Sequence, residues 1–257
     1  MNALFCPWES AQYLIFSSNV PTLMYYSHLV AIIAAVVFAG TLFVKARHLL
    51  ALKLFVTIIL FFVAWTVIDM LLWASNEPGI VLFYWGLQIL LEMVIYAGAF
   101  YFAYVVITKH DLSFVGKVLL ALLISPIVVL LPTSELLPAI DISYCNAVET
   151  SLVIYLSYSV EIFLSLLILV FSIREMVSNK ERRKELGYFT LGIFIFLISF
   201  SSGNIIGSFT ENWSLAQAGL FGMPVFIAFL VYSVVRFKTF NTKLLSTQAF
   251  VVTLWLL

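Results

Sequence analysis

Leu166 to Phe200 reads LLILVFSIREMVSNKERRKELGYFTLGIFIFLISF, two apolar runs separated by a turn that carries Arg174, Lys180, Arg182, Arg183 and Lys184. Each run extends to about the 20 apolar residues that an α-helix needs to cross a bilayer. The turn between them holds five of the 13 lysines and arginines of the 257-residue chain. The pattern repeats along the sequence, which is 63% hydrophobic and only 10% charged, with a mean hydropathy of +1.11. A soluble domain carries about a quarter of its residues charged, so the composition excludes that class. No stretch alternates as a membrane β-strand would. The expected fold is therefore all-α, a polytopic helical membrane bundle.

Counting about 20 residues per crossing gives about seven spans, near 22–44, 51–74, 80–108, 114–132, 150–174, 187–209 and 215–236. Short connections make sequence neighbours antiparallel neighbours in space. The expected domains are an extracytoplasmic segment 1–21, a seven-helix unit 22–236, and an elbow with the start of an eighth helix over 237–257. The N-terminus lacks a basic region, and Glu9 interrupts it, so it does not read as a signal peptide.

Lys45, Arg47 and Lys53 lie between spans one and two, Lys109 and Lys117 between three and four, and Arg236, Lys238 and Lys243 after span seven. With the five quoted above, all 13 basic residues fall on one side. The other side carries Glu9, Glu77, Glu135, Asp141, Glu149 and Glu211 and no Lys or Arg. Basic loops stay in the cytoplasm, which orients the N-terminus outward. Cys6 and Cys145 then share the outer side, where oxidation is permitted; a bridge between them and two free thiols are the alternatives.

Three acids interrupt the apolar runs: Asp69, Glu92 and Glu161. An ionised group at the centre of a lipid-facing helix costs about 2.5–3.5 kcal/mol, so each should face the bundle interior. Trp85, Gln88, Tyr96 and Ala99 share a helical face with Glu92, and Ser157, Tyr158 and Ser165 share one with Glu161. Asp69 lies between Trp65 and Trp73, at a depth similar to that of His28, and a His28–Asp69 contact is expected. If Asp69→Asn left the titration of His28 unchanged, that contact would not exist. The acids are either packing glue between helices or the polar centre of a ligand- or proton-sensing cavity. The candidates for the latter are Glu92, Glu161, Asp69, His28, Gln88 and Tyr158.

Ser199, Gly203 and Gly207 recur at four-residue spacing, beside Asn204. Such a seam lets another helix approach closely. Packing within the bundle, against Gly219, Gly222 and Pro224, is favoured over dimerisation. The KERRKE turn, Lys180 to Glu185, can bind anionic head groups or simply fix orientation, and the simpler reading is preferred. No HExxH, CxxC, P-loop or Gly-x-Ser-x-Gly occurs, and His28, His48 and His110 lack metal-ligand spacing. Neither a catalytic site nor a cofactor or metal site is expected, and no nucleic-acid partner.

Span seven contains no lysine at its centre, which removes a retinal photoreceptor. A small proton-coupled transporter is opposed by the lack of matched broken helices in two halves, and it remains the alternative, with a standalone membrane protein. The stretches NVPTLMYYSHL (Asn19–Leu29), WTVIDMLLW (Trp65–Trp73), HDLSF (His110–Phe114), YCNAVE (Tyr144–Glu149) and GLFGMPVFIAFLVYSVVRFKTFN (Gly219–Asn241) point elsewhere. Through their order and spacing, the chain resembles the N-terminal seven-transmembrane sensor region of some bacterial membrane histidine kinases. The resemblance covers essentially the whole chain. It implies a sensory domain in the bacterial inner membrane, two-component signalling through a kinase portion that is not in this chain, a homodimer, and a response regulator as partner. Leu244 to Leu257 is too short to cross about 30 Å of hydrocarbon and reads as the first half of an eighth span. A cytoplasmic kinase would require a ninth.

Overall fold

A computed structural model describes residues 6, 7, 9, 11, 13–18, 20–46, 49–133, 135–210 and 213–237. The elbow residues Lys238 and Lys243, the expected eighth helix, Arg47, His48 and Glu211 lie outside them. The chain forms α1 (Thr22–Ala46), α2 (Leu50–Ala74), α3 (Pro78–Thr108) and α4 (Phe114–Leu130). A hairpin of β1 (Ala139–Asp141) and β2 (Asn146–Val148) follows, then α5 (Ser151–Ser178), α6 (Arg183–Thr210), α7 (Trp213–Ala216), a 3-10 turn (Gln217–Phe221) and α8 (Gly222–Phe237).

The helix ends follow local chemistry. Ser113 and Thr150 cap α4 and α5 by accepting hydrogen bonds from the amides of Gly116 and Val153. Pro78 opens α3, where its missing N–H costs nothing. Lys109 closes the same helix in the left-handed conformation, with φ of 61°.

Among the described residues five helices are long and apolar enough to cross a membrane: α1, α2, α3, α5 and α6. The protein is thus a multi-pass, all-α membrane bundle. The expected fourth and seventh spans are shorter. α4 has 17 residues and the apolar stretch Gln217–Ser233 is of the same class. At 1.5 Å per residue, 17 residues reach about 26 Å, short of about 30 Å of hydrocarbon. The sequence pattern places one continuous helix over 215–236, whereas the backbone there passes through α7 and the 3-10 turn before α8 begins.

The reason for that break is close packing. A Cβ on Gly219 would collide with the backbone carbonyl of Ser199, and one on Gly222 would lie 2.5 Å from the Ser199 Cβ. A Cβ on Gly203 would come within 2.8 Å of the Ala216 carbonyl. Ser199 and Gly203 therefore line a backbone-to-backbone seam between α6 and the turn ahead of α8, and Gly207 is buried further along α6. Pro224, near the start of α8, resists extending the helix backward. Gly219→Ala is expected to destabilise the fold by about 1–3 kcal/mol, as overpacking does. Gly40→Ala, inside α1 with open space around its Cβ, should hold or slightly raise the thermal midpoint, since alanine favours a helix over glycine by about 1 kcal/mol, and serves as the control.

α3 is the most buried of the long helices. It packs on α2, α4, α5 and α6, while α1 closes the bundle against α2, α8 and the 3-10 turn. α4 touches mainly α3 and buries only Ile127, leaving most of its surface to lipid. Rings fill the centre: Phe62 and Phe196 meet edge to face at 5.9 Å, and Phe196 stacks on Phe226 at 5.6 Å. In lipid such contacts hold helices together by dispersion and fit, since the tails are as apolar as the side chains.

The hairpin is an element that the helical pattern does not announce. Its strands pair antiparallel, Ala139 with Val148 and Asp141 with Asn146. Asp141 accepts from the Ser143 amide at 2.8 Å to form the turn. Cys145, at φ of 51°, is disulfide-bonded to Cys6 with a Cα–Cα distance of 5.5 Å. The Cys6 amide also donates to the Asn76 carbonyl at 3.0 Å. The N-terminal segment, the α2–α3 turn and the hairpin are thereby joined on one face.

Candidate functional site

One face of α3 carries the interior polar groups. Trp85, Gln88, Glu92 and Tyr96 recur at three- and four-residue spacing, so they form a ladder about 16 Å long on helical rise. Each rung meets a different element.

At the outer rung the Trp85 indole donates to Glu149 Oε1 at 2.7 Å. Burial pushes the Glu149 carboxyl above its ordinary range, and the indole hydrogen bond offsets this in part. An acid raised in the folded state favours folding below its unfolded pKa, and that contribution is lost as pH rises through the folded value. Glu149→Gln keeps an acceptor for the indole and removes the charge. It should raise the thermal midpoint at neutral pH and leave it unchanged in acid.

The next rung joins three helices. Asp69 Oδ1 accepts from the Gln88 amide at 2.8 Å, and Asp69 Oδ2 lies 2.9 Å from His28 Nε2. His28 is fully buried, and its Nδ1 is 3.1 Å from Ser27 Oγ. Ser27 donates its single proton to the Met24 carbonyl at 3.0 Å, so its oxygen is left to accept from Nδ1–H. Assigned from this network, one further proton lies between Nε2 and Oδ2. The His28–Asp69 unit is then neutral as a whole, which suits an apolar interior.

The inner rungs bring Glu92 of α3 beside Glu161 of α5. The two carboxyls interact, and the Tyr96 hydroxyl lies beside Glu161. Both acids are buried. Ser201 of α6 donates to Glu161 Oε2 at 2.6 Å, whereas Glu161 Oε1 is buried with no hydrogen-bond partner among the described residues. Tyr96 donates to the Leu197 carbonyl of α6 at 2.8 Å. Among the described residues every Lys and Arg sits near a helix end or in a connection, and His28 is on the other cluster. Two adjacent carboxyls repel strongly when both are ionised.

Of the candidates from sequence, Asp69, His28 and Gln88 form one cluster and Glu92 and Glu161 another, linked through α3. Tyr158 is half-buried on α5, one turn before Glu161. Ser157, on the same face in sequence, bonds back to the Val153 carbonyl of its own helix at 2.7 Å. The cross-helix partner of Glu161 is instead Ser201, which no spacing within α5 could indicate. Arg182 was likewise not legible as more than a turn cation. Its guanidinium donates to the Ile107 and Val106 carbonyls at 3.0 and 3.1 Å, capping the end of α3, and it pairs with Glu185 and Glu175. Beside it, burial and then the Arg182 charge hold the Lys109 ammonium below the usual lysine range.

Among the described residues no group of three or more His, Cys, Asp or Glu is placed to hold a metal ion. Comparison with protein-family models, with curated proteins and with solved structures finds no match for this chain.

Proposed function

We propose that the chain is the membrane-embedded signal-receiving domain of a bacterial histidine kinase, with seven helices and its N-terminus outside. The observation that carries this reading is the interacting pair Glu92–Glu161, buried on helices α3 and α5 and bonded onward to α6. A change at this pair, whether of proton, ligand or surrounding lipid, alters the favoured packing of α3, α5 and α6. Since α6 packs along α8, that shift has a direct route to the end of the seventh crossing and the Arg236–Lys243 elbow. A signal must favour one packing over another to act this way.

Support for the orientation comes from the single-sided basic residues and from the Cys6–Cys145 bridge, which belongs in an oxidising compartment. The domain reading is a segment 1–21 outside, a bundle over 22–236, and an elbow from 237. Homodimerisation, phosphotransfer to a response regulator and placement in the inner membrane follow from the resemblance to sensor regions.

The test reads the gene past Leu257 and assays the encoded protein in nanodiscs for autophosphorylation from ATP at varied pH. Glu92→Gln and Glu161→Gln should lock the output at one level. Absence of kinase motifs, or variants that respond as the parent does, would sink the reading. Uptake of a labelled substrate that is lost in Glu161→Gln would favour a transporter instead.

A further inference from the structure

The turn between α5 and α6 holds two kinds of cation. Arg182 is engaged, capping α3 and pairing with two glutamates. Lys180 and Arg183 form no ion pair among the described residues, and Glu181 between them pairs with neither. These two cations line a cleft of about 360 Å³ whose remaining walls are Ile173, Met176 and Val177. One end of the cleft is thus cationic and the other is apolar.

The apolar wall continues down the helix. Ile162, Leu166, Val170, Ile173 and Val177 are all exposed, from 48% to 72%. Their spacing of three and four puts them on one face of α5. On helical rise the stripe is about 22 Å long, more than half of the ~30 Å hydrocarbon thickness. It begins at bilayer depth and ends under Lys180 and Arg183. A soluble anion would use only the cations. A phospholipid uses both, with its phosphate on the two charges and an acyl chain along the stripe.

We propose that this cleft is a binding site for an anionic phospholipid. Zwitterionic lipids also carry a phosphate, but their own ammonium competes for it, so selectivity for net negative charge follows from the two unpaired cations. The inference requires only that the chain crosses the membrane, not that it is a sensor.

The experiment purifies the chain from nanodiscs of mixed phosphatidylglycerol and phosphatidylcholine and measures the retained lipids by mass spectrometry. Phosphatidylglycerol should be enriched, by about fivefold for each cation engaged. Lys180→Gln/Arg183→Gln should abolish the enrichment with no change in thermal midpoint, since both side chains are exposed. Lys53→Gln/Lys117→Gln, which removes the same charge at other helix ends, should preserve it. Equal retention of the two lipids by the parent, or equal loss in both double variants, would overturn the proposal. So would displacement of the lipid by soluble glycerol phosphate, which would make the cations a free-anion site and the apolar wall irrelevant.

Discussion

Asp69→Ala lowers the unfolding free energy by about 2–5 kcal/mol. The figure combines a charge-assisted contact to His28, worth about 1.5–3 kcal/mol, with an interhelical bond to Gln88, worth about 0.6–1.7 kcal/mol in a membrane. The loss matches that of a large core truncation, although Asp69 is small, because His28 and Gln88 both stay buried and lose the partner they share. Asp69→Asn should cost less than half as much. Its amide nitrogen can donate to Nε2 of a neutral His28, and its amide oxygen can still accept from the Gln88 amide. The contrast is read by equilibrium unfolding in mixed micelles. Alanine and asparagine variants of parental stability would mean that the α1–α2–α3 junction does not depend on this unit.

Breaking the Cys6–Cys145 bridge should have an effect of similar size. The two residues are 139 apart in sequence, and a cross-link over so long a loop stabilises by typically about 2–4 kcal/mol. The confinement of the intervening helices to the bilayer keeps the value from reaching the soluble-chain limit. Cys6→Ser, Cys145→Ser and the double variant should each lower the thermal midpoint by the same amount, as should a reductant applied to the parent. The chain has no other cysteine. A thiol-reactive mass tag should therefore shift the unfolded parent on a gel only after reduction. Tagging without reduction would show that the bridge is absent.

How far the sequence reaches is clear from particular residues. The apolar runs and the five cations of the 174–184 stretch mark α5 and α6 to within a few residues, because hydrocarbon thickness and charge cost dictate them. The interior direction of Asp69, Glu92 and Glu161 was legible for the same reason: a charge cannot face lipid cheaply. Three further features depend on contacts between distant segments. The interruption ahead of α8 arises where Gly219 meets the Ser199 backbone of another helix, and apolar composition alone reads through it. Ser201 as the partner of Glu161, and Arg182 as the cap of α3, are cross-helix meetings that no periodicity within one helix encodes. The hairpin is missed because its strands are three residues each, too short for an alternating pattern to stand out.

The central claim is that the Glu92–Glu161 pair selects between helix packings. Its most direct test places spin labels at Val177→Cys on α5 and Tyr232→Cys on α8, both exposed, while the native cysteines stay bridged. The distance distribution is recorded in nanodiscs from acid to alkaline buffer. The distribution should change with pH in the labelled parent. In Glu92→Gln/Glu161→Gln, which mimics the protonated pair, it should stay at the acid form throughout. A distance that ignores pH in the parent, or follows it equally in the double variant, would contradict the claim and return the acids to the role of packing glue.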